Sequence, residues 1–254
     1  MEYPFDALHA GIESQILNLP AGIPDSQAVT RAKALPDSIE KSLTLGKALS
    51  RQLRYREAIA AYTEGLKLEP ENLSLLRLRA GRYLTTLQSD LAIADFEKCL
   101  TLDAEKLDCL YRIGLAHYYA GRYLRAMETL ESCLPLCDDE MGIAVLYWHT
   151  LSAARTEKAP TLLKYDRPDM AVGHHTAYEK AMQVWSGTTP LAAALEMLES
   201  EEDDLEYGIT LYGLLWHPDC TEKECLSQSL LRRDGFWPSF AYIAAWKDWD
   251  GLRK

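Results

Sequence analysis

The sequence contains no apolar run that approaches the ~20 residues a membrane-spanning helix needs. Its first residues, Met-Glu-Tyr-Pro, provide neither the basic start nor the apolar stretch of a secretory signal. No cysteine precedes Cys99, so the amino-terminal part offers no thiol for a lipid anchor. We therefore expect a cytoplasmic protein that does not bind membranes.

Catalytic signatures are absent as well. The chain has no glycine-rich phosphate loop, no His-Glu-x-x-His helix and no nucleophile elbow. The cysteines form two close pairs, Cys133 with Cys137 and Cys220 with Cys225, but neither has the two-residue spacing of zinc knuckles or thioredoxin-like sites. A zinc site built from His217, Cys220 and Cys225 would lack a fourth ligand. We expect no enzymatic activity, no cofactor and no metal.

Basic charge is scarce, because 27 Lys and Arg stand against 38 Asp and Glu and give a net charge of −11. An acidic chain repels phosphate backbones, so we expect no nucleic-acid partner. Much of the negative charge lies near the carboxyl end, above all in the run 199–206. We predict that this run interacts with the basic residues Lys47, Arg51 and Arg77 or with a basic partner. The alternative is a solvated turn between two helices.

The chain does contain a repeat of about 34 residues between Ser42 and Asp138. Ala58, Ala92 and Ala126 mark its small-residue position. Small, apolar and aromatic residues surround them in a recurring order: Leu45, Gly46, Leu49, Tyr55, Tyr62, Gly65 and Pro70; then Ala80, Tyr83, Phe96, Cys99 and Ala104; then Ile113, Gly114, His117, Gly121, Tyr123, Leu130 and Cys133. In this period and order the sequence resembles the tetratricopeptide repeat family, in which each unit is a helix–turn–helix.

The resemblance implies an all-α fold, a right-handed superhelix of stacked helix pairs known as a tetratricopeptide solenoid. We predict three parts. Residues 1–37 form a short helix, about Ala7–Asn18, and a strap. Residues 38–156 form the repeats. Residues 157–254 form diverged helix pairs and a capping helix, because the apolar end of a solenoid needs cover.

Beyond the repeats, the order of helices resembles bacterial tetratricopeptide adaptors related to the lipoprotein NlpI. This resemblance rests on the turn Trp185-Ser186-Gly187-Thr188-Thr189-Pro190 between two diverged helices, and on the closing helix. The first residues carry no lipoprotein leader. We therefore do not expect the envelope role of those adaptors.

In tetratricopeptide domains, defined positions on the first helix of each pair line a concave groove that binds a partner's peptide. The resemblance places seven candidates there: Lys47, Arg51, Arg77, Tyr111, Tyr118, Tyr119 and His149. Arginine and tyrosine supply large contact areas and directional hydrogen bonds. We therefore predict an adaptor or scaffold that captures a peptide segment of a protein partner. The alternative is that the tyrosines pack on neighbouring helices and the cations are solvated surface.

Two further alternatives concern the partner. Domains of this family that grip Hsp70 and Hsp90 tails use Lys, Asn, Asn, Lys and Arg at five groove positions. Here those positions hold Leu43, Lys47, Leu78, Asp108 and Arg112. Only Arg112 fits, so we predict that the groove does not bind chaperone tails. A function of a different class is self-association, in which the aromatic-rich end of the solenoid forms the interface of a homo-oligomer.

Overall fold

The structure is a computed structural model that describes Ile12, Gln15, Ile16, residues 23–233 and residues 235–252. Every regular element within these residues is helical, which confirms the predicted all-α class. The chain divides into two compact units, Met1–Ala116 and His117–Lys254. Across the described residues, no helix is both long and apolar enough to cross a membrane.

The helices are numbered in chain order. The first unit holds α1 (Gln27–Lys33), α2 (Ile39–Arg51), α3 (Tyr55–Leu68), α4 (Leu73–Thr85) and α5 (Ser89–Thr101), and α6 (Lys106–Tyr119) contains the boundary between the units. The second unit continues with α7 (Tyr123–Cys133), α8 (Asp139–Ala154), α9 (Thr176–Trp185), α10 (Leu191–Leu198), α11 (Asp204–Leu215), α12 (Lys223–Leu231) and α13 (Phe240–Leu252). Short 3-10 turns lie at Leu134–Leu136 and Leu163–Tyr165.

The predicted period reappears in the helix boundaries. The second helices of successive pairs, α3, α5 and α7, begin one period apart. Their fourth residues are Ala58, Ala92 and Ala126, and each of these side chains is 0% exposed. A small side chain at this position lets a neighbouring helix approach closely without leaving a void. The repeat in the sequence is therefore a repeat of helix contacts.

A left-handed residue precedes each of these three helices. Leu53, Leu87 and Gly121 have φ angles of 58°, 56° and 71° and also lie one period apart. In each turn the N–H of the next residue donates to the carbonyl five positions earlier in the chain, at 2.9 to 3.0 Å. Glycine adopts this backbone without strain, whereas leucine costs about 1–2 kcal/mol. The turn therefore keeps its shape although its sequence changes.

Helix α1 forms within the segment for which the sequence predicts a strap. Ser26 caps it, its hydroxyl accepting a backbone N–H at 3.3 Å. The segment is fixed to the turn between α2 and α3 by two side chains. Arg54 pairs with Asp25 at 2.6 Å, and the Gln52 amide donates to the Pro24 carbonyl at 3.0 Å. The strap is thus a short helix bound to the first repeat.

Of the helix predicted at about 7–18, the described residues are Ile12, Gln15 and Ile16, and all three are helical. Ile12 and Gln15 are buried. The Arg56 guanidinium donates to the carbonyls of Gln15 and Ile16, at 2.5 and 2.7 Å. These bonds place the segment against α3. The rest of the predicted helix lies outside the described residues.

Helix α8 forms the interior of the second unit. Every residue from Gly142 to Ala153 is buried. A helix covered on all sides carries no polar stripe and belongs to a core. The predicted last helix forms as α13, in which Tyr242, Ile243 and Trp249 are each at most 2% exposed. The second unit therefore has a core of its own, built around α8.

Gly46→Ala and Gly81→Ala are a matched pair of substitutions in the first unit. Both glycines lie inside helices, where alanine is favoured by about 1 kcal/mol. A Cβ at position 46 would overlap the buried Tyr62 ring, whereas a Cβ at position 81 meets nothing within 4 Å. We expect Gly46→Ala to lower the free energy of unfolding by about 2 kcal/mol and Gly81→Ala to raise it by up to about 1 kcal/mol.

Urea unfolding followed by far-ultraviolet circular dichroism measures both changes. Equal effects of the two substitutions would contradict the packing described for Gly46.

Candidate functional site

A pocket rich in cations opens on the first unit, where α2, α4 and α6 contribute residues. Its volume is about 350 Å³. Four of its seven lining residues are basic: the lining consists of Lys47, Ser74, Arg77, Leu78, Gly81, Arg82 and Arg112. We call it the basic pocket. The three helices are the first helices of successive pairs, so the repeat places equivalent faces side by side.

Two features keep the basic pocket open and charged. Gly81 carries no side chain, and a Cβ there would enter empty space. The Arg82 guanidinium lies over the Tyr55 ring, 4.5 Å from its centroid. This cation–π contact fixes the side chain without neutralising its charge.

The carboxylate of Asp108 accepts hydrogen bonds from two of the arginines. Asp108 Oδ2 accepts a hydrogen bond from Arg77 Nε at 2.9 Å, and Asp108 Oδ1 accepts one from Arg112 Nε at 2.8 Å. Burial opposes the charge on Asp108, but Arg112 and Arg77 outweigh it, so the pKa of this carboxyl lies below its usual range. The hydrogen bond to Asp108 in turn raises the pKa of Arg77. At neutral pH the carboxylate is ionised, and positive charge remains in excess.

The structure brings together two of the predicted groove residues in this pocket. Lys47 and Arg77 line it, whereas Arg51 is exposed at the end of α2 and is not part of the lining. Arg82 and Arg112 line it as well, although neither is among the seven predicted candidates. Arg112 is the one residue that fits the clamp for chaperone tails, whereas Arg82 reaches the pocket through the length of its side chain.

Tyr111, Tyr118 and Tyr119 are packed side chains, 7%, 0% and 4% exposed. The hydroxyls of Tyr118 and Tyr212 lie 2.7 Å apart. The Tyr119 hydroxyl donates to the Phe240 carbonyl at 2.9 Å. Their burial favours the alternative that these tyrosines pack on neighbouring helices, because they present almost no surface to a peptide.

His149 is also enclosed, at 0% exposed. Its Nε2 lies 3.2 Å from Glu131 Oε1 and 3.4 Å from Thr161 Oγ1. Burial lowers the pKa of His149, although Glu131 acts in the opposite direction. The imidazole is therefore neutral at neutral pH and fixed inside the second unit.

The Tyr118 hydroxyl belongs to a buried polar network in the second unit. The Tyr212 hydroxyl donates to Asp248 Oδ2 at 2.7 Å, and Arg155 donates to the same oxygen at 2.8 Å. Trp148 packs edge-on against Tyr118, with ring centroids 5.1 Å apart. Burial raises the pKa of Tyr118 far above its usual value. The network connects helices α8, α11 and α13 around this ring.

The acidic run 199–206 has partners within the second unit. Asp203 caps α11 by accepting two backbone N–H groups at 2.8 and 2.9 Å. Asp204 accepts from Arg233 Nε at 2.7 Å. Such bonds are expected of a turn between two helices, which is the alternative stated for this run. Interaction of the run with Lys47, Arg51 and Arg77 or with a basic partner stays a prediction.

The thiols behave as small apolar groups. Burial raises the pKa of Cys99 and of Cys133 to about 12 in each case, so both are protonated at neutral pH. Within the residues that the structure describes, no group of three or more His, Cys, Asp or Glu side chains is placed to hold a metal ion.

Helices α2 and α3 match the model of a known protein family. A family model of the tetratricopeptide repeat matches residues 43–72, which cover most of α2, all of α3 and the turn that follows. Residues 43–72 therefore form a tetratricopeptide repeat. The resemblance of its carboxyl-terminal helices to adaptors related to NlpI stays a prediction.

Two relatives match this chain over part of their length. It is 26% identical over 147 residues to the small glutamine-rich tetratricopeptide repeat-containing protein 2 of Saccharomyces cerevisiae, covering 58% of this chain and 41% of that protein. It is 27% identical over 99 residues to the Hsp70-Hsp90 organizing protein of Triticum aestivum, covering 39% and 17%. The matches therefore span less than half the length of either relative.

A solved structure of MamA AMB-1 superposes with a TM-score of 0.51 at 17% sequence identity, covering 70% of this chain and 96% of that one. At this level of identity the likeness is one of fold.

Tyr118→Ala and Tyr118→Phe separate packing from hydrogen bonding. Because the ring is fully buried, alanine leaves a cavity and should lower the free energy of unfolding by about 3–5 kcal/mol. Phenylalanine keeps the ring and loses only the hydroxyl, at about 1 kcal/mol. Denaturant unfolding measures both values. If Tyr118→Ala had wild-type stability, Tyr118 would not be a buried packing residue, and its predicted place in the groove would stand.

Proposed function

We propose that this protein is an adaptor that binds a peptide segment of a protein partner at the basic pocket of its first unit. The observation that carries the proposal is the pocket itself. The first helices of three successive pairs contribute its lining, and the absence of a side chain at Gly81 keeps its floor open. Tetratricopeptide repeat proteins mediate protein–protein interactions, and in this chain the pocket is the part of the repeats best equipped for that role.

The chemistry of the lining suits an extended peptide. Each arginine presents several N–H donors in a fixed plane, which suit carbonyl and carboxylate oxygens of a peptide. Leu78 adds apolar surface and the Ser74 hydroxyl adds a donor and acceptor. A volume near 350 Å³ accommodates a few side chains of such a segment. Arginine is also among the residues that contribute most to binding energy at interfaces.

The name of the wheat relative describes a protein that organizes Hsp70 and Hsp90. At the five positions of the chaperone-tail clamp this chain shares only Arg112. Leu43 and Leu78 stand where the clamp needs polar side chains, and Asp108 stands where it needs a lysine. We propose that the peptide comes from a partner other than a chaperone tail.

Gly81→Leu tests the proposal, because it fills the pocket at a position where added atoms meet no neighbour at Cβ. The matched control is Ala94→Leu, an exposed position in α5 outside the pocket. Peptides selected from a random twelve-residue library on the full chain provide the probes. We expect Gly81→Leu to weaken their binding, measured by fluorescence anisotropy, at least about tenfold, and Ala94→Leu to leave it unchanged.

Circular dichroism melts of both variants verify that the fold persists. Equal affinity of the selected peptides for Gly81→Leu and for the wild type would remove the basic pocket as the binding site.

A further inference from the structure

The distribution of charge around the basic pocket indicates the chemical class of the ligand. We propose that the pocket selects an acidic peptide segment and that Asp108 is a built-in competitor that limits its affinity; this inference rests on the proposed function above. The ligand is a protein segment rich in Asp or Glu, and its carboxylates would bind at Lys47 and Arg77, beside the side chain of Asp108.

The basic pocket is positively charged, whereas the protein as a whole is negatively charged. The whole chain carries a net charge of −11, yet Lys47, Arg77, Arg82 and Arg112 line one pocket. Asp108 pairs with Arg77 and Arg112 and offsets one charge of the four. Arg82 lies on an aromatic ring, which leaves its charge in place. A local excess of positive charge on an acidic protein attracts anionic partners and repels cationic ones.

Two of the cations are disposed to bind a second carboxylate. Lys47 is exposed and makes no hydrogen bond or ion pair with any described residue. Arg77 uses its Nε–H on Asp108 and is 53% exposed. A guanidinium has five N–H donors, so the rest of this group can meet a ligand. Arginine binds carboxylates in a two-point geometry that a lysine does not reproduce.

The proposal makes a specific prediction about removing the charge of Asp108. Its side chain is only 17% exposed, pairs with Arg112 one turn along α6 and links α6 to α4 through Arg77. A ligand carboxylate bound by Arg77 would lie within a few ångströms of Asp108, where like charges repel by about 1 kcal/mol or more. Removing the charge of Asp108 should therefore strengthen binding of an acidic peptide, whereas removing Lys47 or Arg77 should weaken it. Damage to the fold would weaken binding in every case.

Asp108→Asn, Lys47→Gln and Arg77→Gln test the inference in the full chain. Glu97→Gln is the matched control for Asp108→Asn, since it makes the same change in net charge at an exposed position of α5 outside the pocket. The probes are three labelled twelve-residue peptides with the same Gly-Ser spacing, containing four Glu, four Gln or four Lys. Binding is measured by fluorescence anisotropy at low ionic strength and again at 0.5 M NaCl.

We expect the Glu peptide to bind the wild type, and the Gln and Lys peptides to bind at least about tenfold more weakly. Asp108→Asn should tighten the Glu peptide about threefold or more, Lys47→Gln and Arg77→Gln should weaken it by a similar factor, and Glu97→Gln should change nothing. All these differences should shrink at 0.5 M NaCl, because the Debye length falls from about 10 Å at 0.1 M toward about 3 Å at 1 M. Lys47→Gln keeps the test valid if another variant is unstable, since Lys47 is exposed and makes no hydrogen bond or ion pair with any described residue.

Three outcomes overturn the inference. If Asp108→Asn weakens or leaves unchanged the binding of the Glu peptide, Asp108 is not a competitor. If library-selected peptides without acidic residues bind and Gly81→Leu weakens their binding, the adaptor proposal stands and the proposed acidic ligand is wrong. If Gly81→Leu weakens the binding of no peptide, both proposals fail. If single-stranded DNA binds more tightly than the Glu peptide and responds to the same variants, the partner is not a protein segment.

Discussion

Close approach of paired helices at small side chains is the constraint on which the rest of this structure depends. Ala58, Ala92 and Ala126 are fully buried, and Gly46 lies so near the Tyr62 ring that no Cβ fits between them. Helices can approach in this way only where small residues recur. The period of the sequence thereby fixes the period of the structure. It also aligns the first helices of successive pairs, whose side chains line the basic pocket.

The repeats could be predicted because their signal is local. Each small or aromatic position recurs within one helix pair, and the helices form where that pattern places them. The turns were less accessible to prediction. Leu53 and Leu87 adopt the left-handed backbone that Gly121 adopts in the third repeat, and a leucine gives no sign of this by itself. Only their positions, two periods and one period before Gly121, carry the information.

The candidate site shows where a positional rule loses accuracy. The rule assumes that the first helix of each pair keeps one face open, and two of the residues it selects, Lys47 and Arg77, line the basic pocket. It does not hold for His149, because α8 is covered on every side. Nor does it hold for Tyr118, whose cover includes Tyr212, 94 positions away. Contacts between residues so distant leave no periodic trace in a single sequence.

Under the proposed function, the open space at Gly81 sets stability against ligand binding at one residue. Almost any residue other than proline is more favourable than glycine in a helix interior. At position 81 an added Cβ meets no atom within 4 Å. Selection for resistance to heat or denaturant would therefore replace this glycine early, as happens at compatible glycines in stabilised proteins. Each added carbon would fill space that a ligand would otherwise use. Engineering that aims only at a more robust protein would thus erase the pocket while every measure of folding improved.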